Sequence, residues 1–260
     1  MKAKAANKII VVLAVLYVVI PLTMLVIYSF STYWQGLLPS GLTFKWYSFL
    51  YRNPKIFPSL IISFIVAFSA VVLNIFIVVP GAYAINYIKN IRLKSFLKQL
   101  LAILPLIFPP LIIGLGLMQS FNRHPFQISG TIYIVIIAHA LLGFPFMFRN
   151  VDASLRTIDE ITLSEAAASL GAGFFKRMKH IIIPNIMPGI LSGSLLVFAI
   201  SLGEFEVTSM IAGFNTRTLP LVLFQQLRDD FRAASAMAAF LVYISLAALL
   251  LITSLQKKIE

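Results

Sequence analysis

Six stretches of this sequence are each long and apolar enough to cross a bilayer as a helix, which takes about 20 residues. They cover residues 9–30, 59–88, 99–121, 131–148, 189–211 and 233–255. Inside lipid the backbone has no water to bond, so a spanning segment must be a helix or part of a closed barrel. None of the six shows the alternation of apolar and polar residues that a barrel strand needs. The expectation is an all-α fold: a polytopic membrane bundle of six transmembrane helices, forming a single domain over 1–260. Composition supports this, with 60% of residues hydrophobic and 12% charged, against roughly 45–50% and ~25% in soluble domains. A water-soluble globule of this size could not bury that much apolar side chain.

The net charge of +12 could suggest a nucleic-acid partner, but the placement of the charges gives a different reading. Of the 21 Lys and Arg, fourteen fall at one set of span ends, from Lys2, Lys4 and Lys8 through Lys89–Lys98 and Arg149–Lys179 to Lys257 and Lys258. The other seven lie on the opposite side, where the loops are of similar total length. The bias puts both termini in the cytoplasm, and no nucleic acid is called for. The first stretch is expected to be a retained helix. Its apolar run exceeds the 7–15 residues of a signal peptide, and no A-x-A-like cleavage site closes it. There is no cysteine, which removes disulfides, thiolate metal sites and cysteine nucleophiles.

One cytoplasmic connection, 149–188, is much longer than the rest, and long ordered loops often carry function. Within it Thr162 and Glu165 have capping-box spacing. Ala166–Leu170 favours helix, and Gly171 suits the left-handed position just past a helix end. A helix of about two turns is expected there, followed by Pro184 and Pro188 on the return to the fifth span. On residue types alone, an amphipathic hairpin on lipid headgroups is an equal reading, with Phe174 and Phe175 inserted and Lys176, Arg177 and Lys179 on phosphates.

The same loop reads Glu165-Ala166-Ala167, three residues, Gly171, nine residues, then Ile181-Ile182-Ile183-Pro184. In this the chain resembles the integral-membrane permease subunits of ABC importers, whose loop signature differs only in having leucine commonest at the place of Ile183. The resemblance extends to six spans and to the loop's position. It implies that Glu165, Ala166, Ala167, Leu170, Gly171 and Pro184 couple the chain to nucleotide-binding ATPase subunits. It further implies a second permease subunit, homologous or identical, and an extracytoplasmic substrate-binding protein. ATP would then be bound by the partner, with no cofactor on this chain. The sequence fits that division of labour, because it contains no Gly-Lys dipeptide and so lacks the Gly-rich loop and lysine of a P-loop.

Few other residues suggest chemistry. His124, His139 and His180 have no metal-ligand spacing, and no G-x-S-x-G nucleophile pattern occurs, so catalytic and metal residues are not expected. His139 reads as a hydrogen-bonded packing residue. Pro105, Pro109 and Pro110, with Gly114 and Gly116, must interrupt the third span, either to line a pathway or as a plain kink. Pro80-Gly81 reads as a kink in the second span. Glu204 and Glu206 are the only acids expected inside a span, and an intramembrane carboxylate suggests function. In a regular helix they point to opposite faces, with Glu204 sharing its face with Ser201 and Thr208. Those three are the expected substrate-pathway residues, leaving Glu206 to an interface or the outer mouth. The stretch Ser201-Leu202-Gly203-Glu204-Phe205 is similar to permeases for spermidine/putrescine, 2-aminoethylphosphonate, ferric iron and thiamine. That likeness favours a polyamine or aminophosphonate, with iron and thiamine left open. The alternative is a self-contained secondary transporter or channel, which would show ion-coupling residues in several spans and inverted repeats.

Overall fold

A computed structural model describes residues 2–34, 39 and 41–256; Lys257 and Lys258 of the basic set lie outside them. In chain order the helices are α1 (Lys2–Ser29), α2 (Lys45–Arg52), α3 (Ile56–Asn86), α4 (Ile91–Ile107), α5 (Pro110–Ser120), α6 (Ile132–Thr157), α7 (Glu160–Ser169), α8 (Phe174–Arg177), α9 (Ile183–Asn185), α10 (Met187–Gly203), α11 (Glu206–Ile211), α12 (Leu219–Asp229) and α13 (Phe231–Gln256). A π-helical turn over Met178–Ile182 joins α8 to α9. Among the described residues β-structure is limited to two isolated bridges. The fold is all-α, as the sequence indicates.

Four helices are long and apolar enough to span a membrane, and the number is six if each of two bent helix pairs counts as one span. The bends correct the expectation of six regular spans. In the third span α4 and α5 meet at 93°. Phe108 and Pro109 each precede a proline, a position that disfavours helical torsion, and both are extended, with ψ of 129° and 138°. Pro110 then opens α5, where its missing N–H costs nothing. Single prolines at 80, 105 and 145 remain inside their helices. The other bend, 72°, separates the segment Phe174–Asn185 from α10.

The chain divides into two compact units, Met1–Pro58 with Val222–Ala247 and Ser59–Leu221 with Ala248–Glu260. The first is organised around aromatic rings at the end of α1. Tyr28 stacks on Trp34 at 5.5 Å and meets Phe231 edge-on at 5.2 Å. The Trp46 indole donates to Ser31 O at 2.9 Å, and the Arg232 guanidinium lies 4.7 Å from its ring. Such amphipathic rings suit the boundary between lipid and water. Tyr47 is bonded to Ser29 at 2.7 Å, and burial, with Tyr243 nearby, pushes its phenol up to about 12.

The second unit is built on α6, whose buried face runs from Ile134 to Leu155. Asn74 of α3 is buried and ties the two helices by donating to Ala70 O at 2.9 Å and Ala140 O at 3.0 Å. Helix α10 lies close against α6 because Gly189 and Gly193, four residues apart, present no side chain there. An added Cβ at Gly189 would stand 2.6 Å from Asn150 O, and one at Gly193 would stand 2.7 Å from Met147 Sδ. This is the small-residue packing by which membrane helices gain contact where no hydrophobic effect drives them together. Gly189→Val should therefore force α10 off α6 at a cost of about 1–3 kcal/mol. The expected readout is a lowered melting temperature and aggregated elution of the detergent-solubilised chain. Wild-type melting would show that the helices tolerate the wider separation.

Candidate functional site

Two places in the second unit hold the residues singled out from sequence. The first is α7. It starts at Glu160 rather than at the Thr162–Glu165 box, because Asp159 takes the N-cap and accepts a hydrogen bond from Thr162 N at 3.5 Å. Aspartate is among the best caps and stands immediately ahead of the helical run, so the helix has ten residues instead of about two turns. The connection is also shorter than 149–188, since α6 runs on to Thr157. The end of α7 matches expectation. Ala172 N bonds Ala167 O and Gly171 N bonds Ala168 O, both at 2.9 Å, with Gly171 at φ +81°. This reciprocal pair is a Schellman motif, which uses the last free carbonyls and turns the chain sharply.

The two faces of α7 differ. Ser164 and Ala167 point inward, and Ala167 is the only one of the proposed coupling residues that is buried. Glu165, Ala166, Gly171 and Pro184 are exposed, and Leu170 is 89% exposed. Ser164 Oγ is bonded to Tyr83 Oη of α3 at 2.7 Å, and Tyr83 Oη to Tyr87 Oη at 2.9 Å. Arg177 donates to Ser164 O and Oγ at 3.3 and 3.1 Å, and the Phe174 ring meets Tyr83 edge-on at 6.0 Å. Arg177 and Phe174 thus turn toward the protein, contrary to the headgroup-hairpin reading. Met178 and Ile182, buried behind them, join the main apolar cluster of the unit. The inner face of α7 is fastened to the second span, and Glu165, Ala166 and Leu170 on its outer face are exposed.

The second place is the fifth span. It is not a regular helix: α10 stops at Gly203, Glu204 is extended (φ −80°, ψ 127°), and α11 begins at Glu206. The opposite-faces argument for Glu204 and Glu206 therefore loses its premise. Even so, Ser201, Glu204 and Thr208 come together through His139, which is buried and hydrogen-bonded, as its reading as a hydrogen-bonded packing residue has it. His139 Nδ1 lies 2.7 Å from Ser201 Oγ and Nε2 lies 2.8 Å from Thr208 Oγ1. Thr208 Oγ1 donates to Glu204 Oε2 at 2.8 Å. With its proton so committed, Thr208 can only accept from His139, so Nε2 carries the proton and Nδ1 accepts from Ser201. The donors run in one direction, ending on the carboxylate. Glu204 also accepts from Val207 N at 2.7 Å and Thr208 N at 3.2 Å. It thereby caps α11 and stabilises the break.

A further acid went unseen. Asp152 lies in α6 and is buried, paired with Lys98 at 2.5 Å and with Arg156 at 2.7 Å. Ending the fourth span at residue 148 hid it as a loop residue. The sequence signal was its spacing of four from Arg156 on one helix. Among the described residues no group of three or more His, Cys, Asp or Glu is placed to hold a metal ion.

The family of binding-protein-dependent transport system inner membrane components matches residues 81–260 of this chain. The chain belongs to that family. This permease is 30% identical to the putative 2-aminoethylphosphonate transport system permease protein PhnV of Salmonella typhimurium, covering 95% of its own length and 91% of that protein. It is also 30% identical to the spermidine/putrescine transport system permease protein PotC of Haemophilus influenzae, over 93% of each chain. In fold it resembles a chain of the bacterial alginate ABC transporter crystallised with an alginate pentasaccharide-bound periplasmic protein. The TM-score there is 0.72 at 18% identity, with 99% of the permease and 93% of that chain covered. The protein is thus the transmembrane permease subunit of an ABC importer, and the reading as a self-contained secondary transporter or channel falls away.

Proposed function

We propose that this permease forms one half of a two-subunit pore, driven by separate nucleotide-binding ATPase subunits that dock on the outer face of α7. The observation that carries the proposal is the contrast between that helix's faces. The inner face is held to α3 by Ser164 and Tyr83, while the outer face presents exposed Glu165, exposed Ala166 and an 89% exposed Leu170. An apolar side chain left that exposed beside a tight turn suits an interface that a partner completes. ATP would be bound by that partner. Both termini would lie in the cytoplasm on the same side as α7, and an extracytoplasmic binding protein would deliver the solute at the other side.

For the solute, an amine-bearing small molecule is the favoured class. A polyamine and 2-aminoethylphosphonate, the solutes in the names of the two relatives, share a primary amine. The Glu204 carboxylate, with Ser201 and Thr208 beside it, is the pathway group that would attract that amine. Ferric iron and thiamine are the cationic alternatives without a primary aliphatic amine.

Co-purification from a detergent extract tests the partner, because a nucleotide-binding subunit should elute with the wild-type chain. Vesicles holding the assembled importer should then take up labelled putrescine or 2-aminoethylphosphonate only with ATP inside and binding protein outside. Uptake of molybdate with neither amine transported would overturn the substrate reading and leave the ATPase reading standing. For orientation, an impermeant thiol reagent added to spheroplasts should label Asn122→Cys and spare Ser169→Cys. The reverse pattern would invert the topology.

A further inference from the structure

The fourteen basic residues of the cytoplasmic side were read as an orientation signal, but four of them also converge on one place. Lys94 and Lys98 are four apart on α4, and Arg149, Asp152 and Arg156 are spaced by three and four on α6, so each set shares a helix face. Two cavities lie there and have Lys98 and Arg156 in common. One, of about 300 Å³, has an apolar wall of Ala102, Ile103, Phe148 and Ala153 facing charged side chains that include Arg149. The other, of about 460 Å³, is polar and takes in Lys94 and Asn86.

The charges at this place do not balance. Asp152 answers two cations, with Lys98 Nζ on Oδ1 at 2.5 Å and Arg156 on Oδ2 through Nε at 2.9 Å and Nη2 at 2.7 Å. Lys98 also donates to Asn86 Oδ1 at 2.6 Å, and Lys94 to Asn86 O at 2.8 Å. The cavities' only other acid is Asp159, whose carboxylate caps α7. Four cations face two carboxylates, and Lys98 is only 12% exposed. An excess of two positive charges at the end of membrane helices, beside a cavity with one apolar wall, suits an anion with a hydrocarbon tail.

We propose that the paired cavities form a binding site for an anionic phospholipid. Its phosphate sits among Lys94, Lys98, Arg149 and Arg156, and an acyl chain lies along Ala102, Ile103 and Phe148. The lipid would clamp α4 to α6 just ahead of the turn into α7. This inference does not depend on the substrate or the ATPase assigned above.

The test titrates the full-length chain, purified in mild detergent, with dioleoyl-phosphatidylglycerol, dioleoyl-phosphatidylcholine or inorganic phosphate, reading occupancy by native mass spectrometry. Phosphatidylglycerol should bind with clear preference over phosphatidylcholine, and millimolar phosphate should not displace it. Lys94→Gln and Arg149→Gln lie outside the Asp152 pair and should leave melting unchanged. Each should weaken phosphatidylglycerol binding about fivefold, the effect of one basic residue near an anionic surface. Ala102→Phe, which fills the apolar chamber, should weaken it as well with every charge retained. Equal binding of the two lipids, or wild-type binding by both charge variants, would overturn the site. Displacement by phosphate with Ala102→Phe unaffected would replace the lipid by a free phosphate ligand.

Discussion

Replacing Gly171 with valine is expected to abolish transport while the protein still inserts in the membrane and keeps its fold. At φ +81° the glycine occupies a left-handed conformation that costs an ordinary L-residue about 1–2 kcal/mol, and a β-branched one suffers most. Nothing lies within 4 Å of an added Cβ, so the damage is conformational and local to the end of α7. A shift of that size changes the population of the closed turn by about 5–30-fold, and the turn presents Leu170 to the proposed ATPase. Glu165→Lys attacks the same face through charge. In vesicles both variants should lose ATP-driven uptake, and co-purification of the ATPase should fall with it. Normal uptake by both would remove α7 from the coupling role.

The second large effect concerns Glu204. Glu204→Leu removes the acceptor for Val207 N, Thr208 N and Thr208 Oγ1, each costing about 1–3 kcal/mol when left buried and unpaired. Thr208 would lose the acceptor for its proton, and His139 would be free to change its bonding. The α10–α11 break should loosen and uptake fall to background. Glu204→Gln is the sharper probe, since its amide oxygen can still cap part of α11 while the negative charge is gone. A pathway role predicts several-fold lower uptake of an amine solute by Glu204→Gln with assembly intact. Glu206→Gln should matter less, because the hydrogen bond given to Glu206 here, from Ser209 at 2.7 Å, uses its backbone carbonyl. Unchanged uptake for Glu204→Gln, or a larger loss for Glu206→Gln, would overturn the pathway assignment.

The apolar helices and the Gly171 turn were legible in the sequence because hydropathy and left-handed torsion are local properties. The breaks were legible only in part. Pro109-Pro110 announced an interruption, yet the 93° bend depends on how α5 packs. The break at Glu204 carried no proline. It exists because a carboxylate can cap the next helix in place of the continuing backbone, a competition that hydropathy does not register. His139 read correctly as a hydrogen-bonded packing residue, but its partners Ser201 and Thr208 were not legible because they come 62 and 69 residues later. The α7 start was misplaced because the spacing of Thr162 and Glu165 is itself a good helix start, and Asp159 three residues earlier is a better one.

The π-turn at Met178–Ile182 makes the segment between Gly171 and Ile186 respond differently to gain and to loss of a residue. A π-turn is an α-helix carrying one surplus residue, absorbed without turning the helix on either side. Deleting one residue there would restore ordinary helix and keep Phe174 and Arg177 on their present side of buried Ile182 and Ile186. Each residue added to a helix contributes about 100° of rotation and 1.5 Å of rise, so an insertion would take Phe174 from Tyr83 and Arg177 from Ser164. The segment should therefore accept loss of one residue at the turn, and changes of side chain at exposed Lys176, Lys179 and His180, far more readily than an insertion.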